Sequence, residues 1–339
     1  MKNPKLSLKR EIILSVCLIT YNHEKFIRKA LEGILNQKIN FEYELIIGDD
    51  HSTDLTINII EEYRSLFPIN TKILRSSINE GLNHNFLRSF NACTGKYIAY
   101  LEGDDCWIND KKLQSQVEIL ENYNDVSLVH TNCKLWNIKT GEILDSIIMF
   151  EGQCIREKTF GLSSVNAEFA VEMRPIKTST CCYRRELLKN AIEKDYFAYS
   201  NKEFTTQDFQ LFQDLSMVGK FYFIDEDTTL IGLHDSLSAN TDLVKQVNFR
   251  LGFFKIGIYY ADKYKIPKNI FLKWLRIQIY YFNNVCFILR DKKIIKYVVN
   301  EAMKRGYTLT FRQKILYTAI NSRLWRYLIP LYRIYSKFK

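Results

Sequence analysis

Residues 96–107 read KYIAYLEGDDCW. The run Tyr97, Ile98, Ala99, Tyr100, Leu101 is apolar and rich in β-formers, which predicts a buried central strand. It ends abruptly in Glu102, Gly103, Asp104, Asp105. Carboxylates packed this tightly repel one another, and a hard divalent cation with oxygen ligands would relieve the repulsion. Gly103 lets the backbone turn where a β-carbon would obstruct it. Ligands of open α/β sheets sit just beyond the carboxyl ends of strands, which is where this acidic tip falls. A solvated acidic turn is the competing reading.

Working outward, strands and helices alternate. Ile12–Thr20 reads as a first strand, with Asn22 a helix-cap candidate before a helix through Phe26, Ala30 and Ile34. Tyr43–Gly48 is a second strand, and the cap-type residues Ser52, Thr53 and Asp54 precede a second helix. A strand over Thr71–Arg75, a helix over Leu82–Cys93, the opening strand, a helix over Leu113–Tyr123 and a strand over Val126–Thr131 continue the rhythm. This predicts an α/β fold with a mostly parallel, doubly wound sheet. Farther on, the sequence predicts a hairpin around Lys139-Thr140-Gly141, a strand over Thr178–Tyr183, an amphipathic helix over Thr205–Val218 and a strand pair over Lys220–Leu233. Four helices follow Asp242, with breaks near Pro267, Asp291 and Gly306. We expect a domain over 1–240 and a basic, aromatic-rich helical tail over 241–339.

A second carboxylate pair, Asp49/Asp50, follows the second strand. Parallel strands would bring it to the same edge as Asp104/Asp105, and the turn Thr20-Tyr21-Asn22 would arrive there too. An aromatic ring beside an acidic acceptor suits a nucleobase, which stacks on one and donates N–H to the other.

The succession SVCLITYN, LNQ, ELIIGDDHSTD, NEG and GKYIAYLEGDDCW resembles the family-two inverting nucleotide-sugar glycosyltransferases of the GT-A, Rossmann-like fold, over residues 12–240. The chain departs from many members at Ile19, where they carry Pro, and at Phe86-Leu87, where they carry Arg-Asn. The resemblance implies that Thr20, Tyr21 and Asp50, with Asn22 in the same turn, line the nucleotide-sugar pocket. It implies that Asp104 meets the ribose or the metal and that Asp105 binds Mg²⁺ or Mn²⁺ at the diphosphate, with His234 a third metal ligand. It also places the general base at a helix start, where Asp208 stands, with Asp214 as the fallback. The expected donor is a nucleotide-diphosphate sugar, a UDP-sugar foremost, and the expected acceptor a glycan or lipid-linked hydroxyl in cell-surface polysaccharide synthesis. A sugar-nucleotide pyrophosphorylase is the related alternative, but TYNHEKF lacks the glycine-rich phosphate loop.

Composition sets outer bounds. The 339 residues are 47% hydrophobic and 25% charged, an ordinary globular mixture. Eight cysteines show no CxxC or zinc spacing, so free thiols in a reducing cytoplasm are expected. The N-terminal apolar segment reads as a strand rather than a signal peptide. The longest later uncharged run, Ile277–Leu289, has 13 residues and contains Asn283 and Asn284, too short to span a bilayer. Net charge is +10, yet Lys245–Lys339 alone carries 21 Lys/Arg against 3 Asp/Glu. Such a tail suits an anionic membrane surface at the cytoplasmic face of the inner membrane, with Arg323, Arg326, Arg333 and Lys337 within one helical quadrant. A helical bundle is a competing reading. A nucleic-acid binder is another, but it leaves both carboxylate pairs unexplained.

Overall fold

The computed structural model describes residues 11–68, 70–137, 140–144, 159–160, 176–233, 242–322 and 325–329. They fall into two compact units, Met1–Ser163 with Arg174–Lys202 and Thr206–His234, and Asp235–Lys339 with Ser164–Met173 and Glu203–Thr205.

The first unit is built on a mixed sheet. Strand β1 (Leu14–Thr20) is followed by α1 (Ile27–Leu35), β2 (Tyr43–Asp49), α2 (Thr56–Glu62), β3 (Thr71–Arg75), α3 (Leu82–Ala92) and β4 (Tyr97–Glu102). Next come β5 (Cys106–Trp107), α4 (Lys112–Asn122), β6 (Val126–Asn137), β7 (Ile143–Leu144), β8 (Thr159–Phe160), β9 (Cys182–Arg184), α5 (Arg185–Lys194), α6 (Tyr196–Ser200), α7 (Asp208–Val218) and β10 (Lys220–Leu233). The main path through the sheet is β3-β2-β1-β4-β9-β6-β10-β5. Strands β1 to β4 are mutually parallel, whereas β9 runs antiparallel to both its neighbours.

Every residue of β1 is buried, as a strand covered on both faces requires. The edge strand β3 is only half-buried. The chain winds outward from β1 to β3 and then crosses back to place β4 on the other side of β1. That reversal is a topological switch point, and a crevice opens there beyond the strand ends.

Three expectations need correcting. Lys220–Leu233 is one continuous strand, with register shifts between Ile224 and Thr229. The charges Asp225, Glu226 and Asp227 sit in the irregularity, where Asn132 donates to Asp225 at 2.6 Å and Asn109 to Glu226 at 3.1 Å. Helix α7 is not amphipathic, since Phe209 through Ser216 are all buried, Gln210, Gln213 and Asp214 included. Thr178–Thr180 forms a 3₁₀ turn ahead of a shorter strand. The hairpin does form, with Leu135 opposite Leu144 and Trp136 opposite Ile143.

Among the described residues, the second unit includes the helices α8 (Leu243–Lys263), α9 (Lys268–Leu289), α10 (Lys292–Lys304) and α11 (Phe311–Asn321). Their starts are legible caps. Asp242 accepts from Val244 N–H, Asp291 from Ile294 N–H, and Thr310 and Gln313 form a reciprocal capping box. Trp274 anchors the packing, stacked on Phe254 at 5.6 Å and Phe271 at 5.5 Å between ring centroids. A bundle therefore forms within the tail itself. Of the four basic residues placed in one quadrant, only Arg326 lies among the described residues. No described helix is long and apolar enough to cross a membrane.

Candidate active site

The strand register brings the acidic tips together. Thr20, the last residue of β1, pairs with Asp49 on one side, and its neighbour Ile19 pairs with Glu102 on the other. Both carboxylate pairs therefore leave the sheet at one edge, flanking the switch point.

The β1 turn is stitched to the turn after β2. Asn22 N–H donates to Ser52 Oγ at 2.9 Å, His23 N–H to Thr56 Oγ1 at 2.8 Å and Glu24 N–H to Asp54 Oδ2 at 3.1 Å. In return Thr53 N–H donates to Asn22 Oδ1 at 2.8 Å, and Leu55 N–H to Glu24 Oε2 at 3.0 Å. The polar DDHSTD run thus satisfies backbone donors that would otherwise be stranded at the strand tip. Asn22, with φ of 55°, is part of this stitching and does not cap α1, whose cap position is Phe26. Tyr21 stands at the rim with 41% of its surface exposed.

Asp49 is fully buried and accepts from both Ser52 N–H and Ser52 Oγ. Asp50 is nearly buried too, and its two oxygens accept from Glu80 N–H at 2.9 Å and Gly81 N–H at 2.8 Å. It fixes the NEG loop against the end of β2. Helix α3 adds two polar side chains to this strand end. Asn85 donates to Gly48 O at 2.9 Å, and Arg88 donates to Asp49 O at 2.8 Å.

At the β4 tip, Glu102, Asp104 and Asp105 each offer an oxygen, and the three atoms lie within 4.8 Å of one another. Asp105 points inward, accepting from Gly232 N–H at 3.0 Å and Ser179 Oγ at 2.5 Å. Glu102 accepts from Thr178 Oγ1 at 3.0 Å. Asp104 is half-buried and lies 4.0 Å from His23 Nε2. Burial, then the charge of Asp104, pushes Glu102 up to about 7. Burial, with Asp104 and Glu102 behind it, also raises Asp105 well above the usual carboxylate range. An all-oxygen donor set in which burial and mutual repulsion raise Glu102 and Asp105 fits a hard divalent cation. His234 lies outside the described residues.

Gly103 works by proximity rather than by turning. A β-carbon there would lie 2.7 Å from Thr20 Oγ1 and 2.8 Å from His23 Nδ1. Gly103→Ala should therefore push the β1 and β4 tips apart and destabilise the fold by about 1–3 kcal/mol, checked by urea unfolding.

Asp208 opens α7 and is half-buried. Its charge raises Glu102 further. Burial raises Asp208 itself, while Phe209 N–H, at 2.8 Å, and Lys177 pull it back. Asp214 faces elsewhere, buried and accepting from Tyr199 OH at 2.7 Å. Sequence reasoning missed Ser179, Thr178 and Gly232, which reach the tip from distant stretches. It also missed His23, whose place in the β1 turn was the available signal. Trp107 is buried beneath the tip and donates to Ser179 O at 2.8 Å.

Known proteins resemble this chain in fold and in sequence. Solved structures of TarS residues 1–349 from Staphylococcus aureus, one in complex with UDP-GlcNAc, superpose with a TM-score of 0.51 at 16% identity, covering 91% of this chain and 90% of that one. That likeness is one of fold, the GT-A architecture with helices following the sheet. The uncharacterized protein Rv1520 of Mycobacterium tuberculosis is 38% identical over 115 residues, 34% of this chain and 33% of its own length. The abequosyltransferase RfbV of Salmonella typhimurium is 32% identical over 118 residues, again 34% of this chain and 33% of its own. The matched segment thus spans about a third of these relatives. The model of the family described as Glycosyl transferase family 2 matches residues 15–189, which hold both acidic tips and the register that joins them. With more than half its length so matched, the chain belongs to glycosyltransferase family 2.

Proposed function

We propose that the chain transfers one sugar, with inversion, from a nucleotide-diphosphate donor to a hydroxyl of a growing surface glycan. The observation that carries this reading is the convergence of Tyr21, Glu102, Asp104 and Asp105 on the switch-point edge. Tyr21 offers an exposed ring for the base, and the turn around Thr20 and Asn22 holds it in place. Asp50 braces the NEG loop beside the base. Asp104 and Asp105, with Glu102, would hold Mg²⁺ or Mn²⁺. When bound, that ion would neutralise charge developing on the departing diphosphate. Asp208 takes the acceptor hydroxyl's proton as that oxygen bonds to the anomeric carbon, and the bond electrons leave with the diphosphate oxygen. A carboxylate raised by burial, near charges of its own sign, is a stronger base than a solvated one.

Relatives named for surface glycans support the acceptor class. They include the abequosyltransferase RfbV, the minor teichoic acid biosynthesis protein GgaA of Bacillus subtilis and the poly(ribitol-phosphate) β-N-acetylglucosaminyltransferase TarS. The UDP and UDP-GlcNAc complexes of TarS favour a UDP-sugar. The basic helical tail fits work at the cytoplasmic face of an anionic membrane.

A donor screen by thermal shift tests the reading. Nucleotide-diphosphate sugars should raise Tm with Mn²⁺ present and do so far less without it. Stabilisation by oligonucleotide alone would instead favour a nucleic-acid binder.

A further inference from the structure

A buried cation connects to the acidic tip through a chain of hydrogen bonds, and the transfer itself does not use it. Lys112, the first residue of α4, is 1% exposed. Burial pulls its ammonium down to about 8, and among the described residues no carboxylate offsets its charge. Taking an ammonium out of water without such a partner is costly. A methionine would fill much the same space without that cost, so packing alone does not account for the residue.

The Lys112 ammonium donates to Gln116 Oε1 at 2.6 Å, one helical turn on, and lies 4.7 Å from the centre of the Trp107 ring. A lysine can only donate, so Gln116 must turn its oxygen toward the ammonium and its N–H bonds away. Those N–H bonds reach Thr180 O at 2.8 Å and Val129 O at 3.2 Å. Trp107 in turn gives its indole N–H to Ser179 O at 2.8 Å. Lys112 is thus linked to two successive carbonyls of the Thr178–Thr180 turn, one through Gln116 and one through Trp107.

That turn holds the tip. Thr178 Oγ1 donates to Glu102 at 3.0 Å and Ser179 Oγ to Asp105 at 2.5 Å, while Glu102 N–H donates to Ser179 Oγ at 3.1 Å. A small rotation of the turn would move both hydroxyls, and with them the carboxylate oxygens offered to a cation.

We propose that Lys112 is a positioning residue for the cation site, a role that rests on the tip binding Mg²⁺ or Mn²⁺ as the transfer requires. It fixes Gln116 and Trp107 in the orientations that hold the Thr178–Thr180 turn, and the turn sets Glu102 and Asp105 for the ion. Charge and position predict opposite signs here. A nearby ammonium repels a divalent cation, so a Lys112 acting by charge alone would tighten Mn²⁺ binding on its removal. A Lys112 that positions the turn weakens Mn²⁺ binding on its removal.

The test is Mn²⁺ titration of the full chain followed by electron paramagnetic resonance, with Tm measured alongside. K112M keeps an unbranched stem and removes the ammonium. It should bind Mn²⁺ about tenfold more weakly than wild type while still unfolding in one cooperative transition. K111M, which removes an equal charge from the exposed neighbour, should bind as wild type does. S179A cuts the chain of bonds at its far end, so K112M/S179A should bind little worse than S179A alone. W107F keeps a ring over Lys112 and removes the N–H to Ser179 O. It should weaken binding severalfold, which tests the route even where K112M folds too poorly to titrate. Unchanged or tighter Mn²⁺ binding in K112M overturns the positioning role and leaves the cation reading standing. So does wild-type affinity in W107F, or losses in K112M and S179A that multiply in the double variant. A wild-type chain that takes up no Mn²⁺ removes both the role and the cation reading.

Discussion

Asp208→Asn is expected to lower kcat by between about 10²- and 10⁴-fold while leaving the Kd for the donor unchanged. The amide keeps the shape of the helix start and can still accept from Phe209 N–H, as Asp208 does at 2.8 Å. It cannot take a proton from the acceptor. The pH profile gives an independent check. Burial raises Asp208 above its ordinary carboxylate value, and the base works only when ionised. Activity of the wild type should therefore climb with pH through a limb lying above the usual aspartate range, and the variant should lack that limb. Wild-type kcat in the variant would remove Asp208 from the base role and, with Asp214 bonded to Tyr199, leave the reaction without its assigned acceptor base.

Asp104→Asn and Asp105→Asn are expected to lower kcat/KM by on the order of 10²–10³-fold, the size of losing about 3–4 kcal/mol of charge stabilisation. Mn²⁺ titration followed by electron paramagnetic resonance gives a readout that does not depend on turnover. Both variants should bind Mn²⁺ more weakly. Ser179→Ala, which removes the hydroxyl that donates to Asp105 at 2.5 Å, should lose about 10–100-fold in affinity. Protons compete with the cation for these oxygens. Glu102 is pushed up to about 7 and Asp105 is raised with it, so below that pH the cluster holds protons that a cation must displace. Wild-type affinity for Mn²⁺ should accordingly be weaker at pH 6 than at pH 8. Unaltered Mn²⁺ binding in Asp104→Asn and Asp105→Asn alike would detach the metal from this tip.

Much of the rim was legible because it is written locally. Apolar runs such as Leu14–Thr20 and Tyr97–Leu101 mark buried strands by composition alone, and each ends in residues no strand interior would hold. Alternation with helices then implies parallel strands and one shared edge. What stayed hidden is non-local. Ser179 and Gly232 reach Asp105 across 74 and 127 residues of sequence, and no periodicity announces such partners. The inward turn of Asp50 depends on the backbone of Glu80 and Gly81, which only the fold delivers. Helix α7 misled for a related reason. Gln210 and Gln213 look like a solvent face, yet both are buried, Gln210 donating to Ala198 O, and Gln207 just ahead of the helix donates to the Tyr100 hydroxyl.

The shared rim is tested most directly by anomalous diffraction from crystals grown with Mn²⁺ and a UDP-sugar. The account predicts one Mn²⁺ peak in contact with carboxylate oxygens of the Glu102–Asp105 tip, and a nucleobase against Tyr21 across the end of β1. A peak at another edge of the sheet, or a nucleotide seated away from both tips, would contradict it.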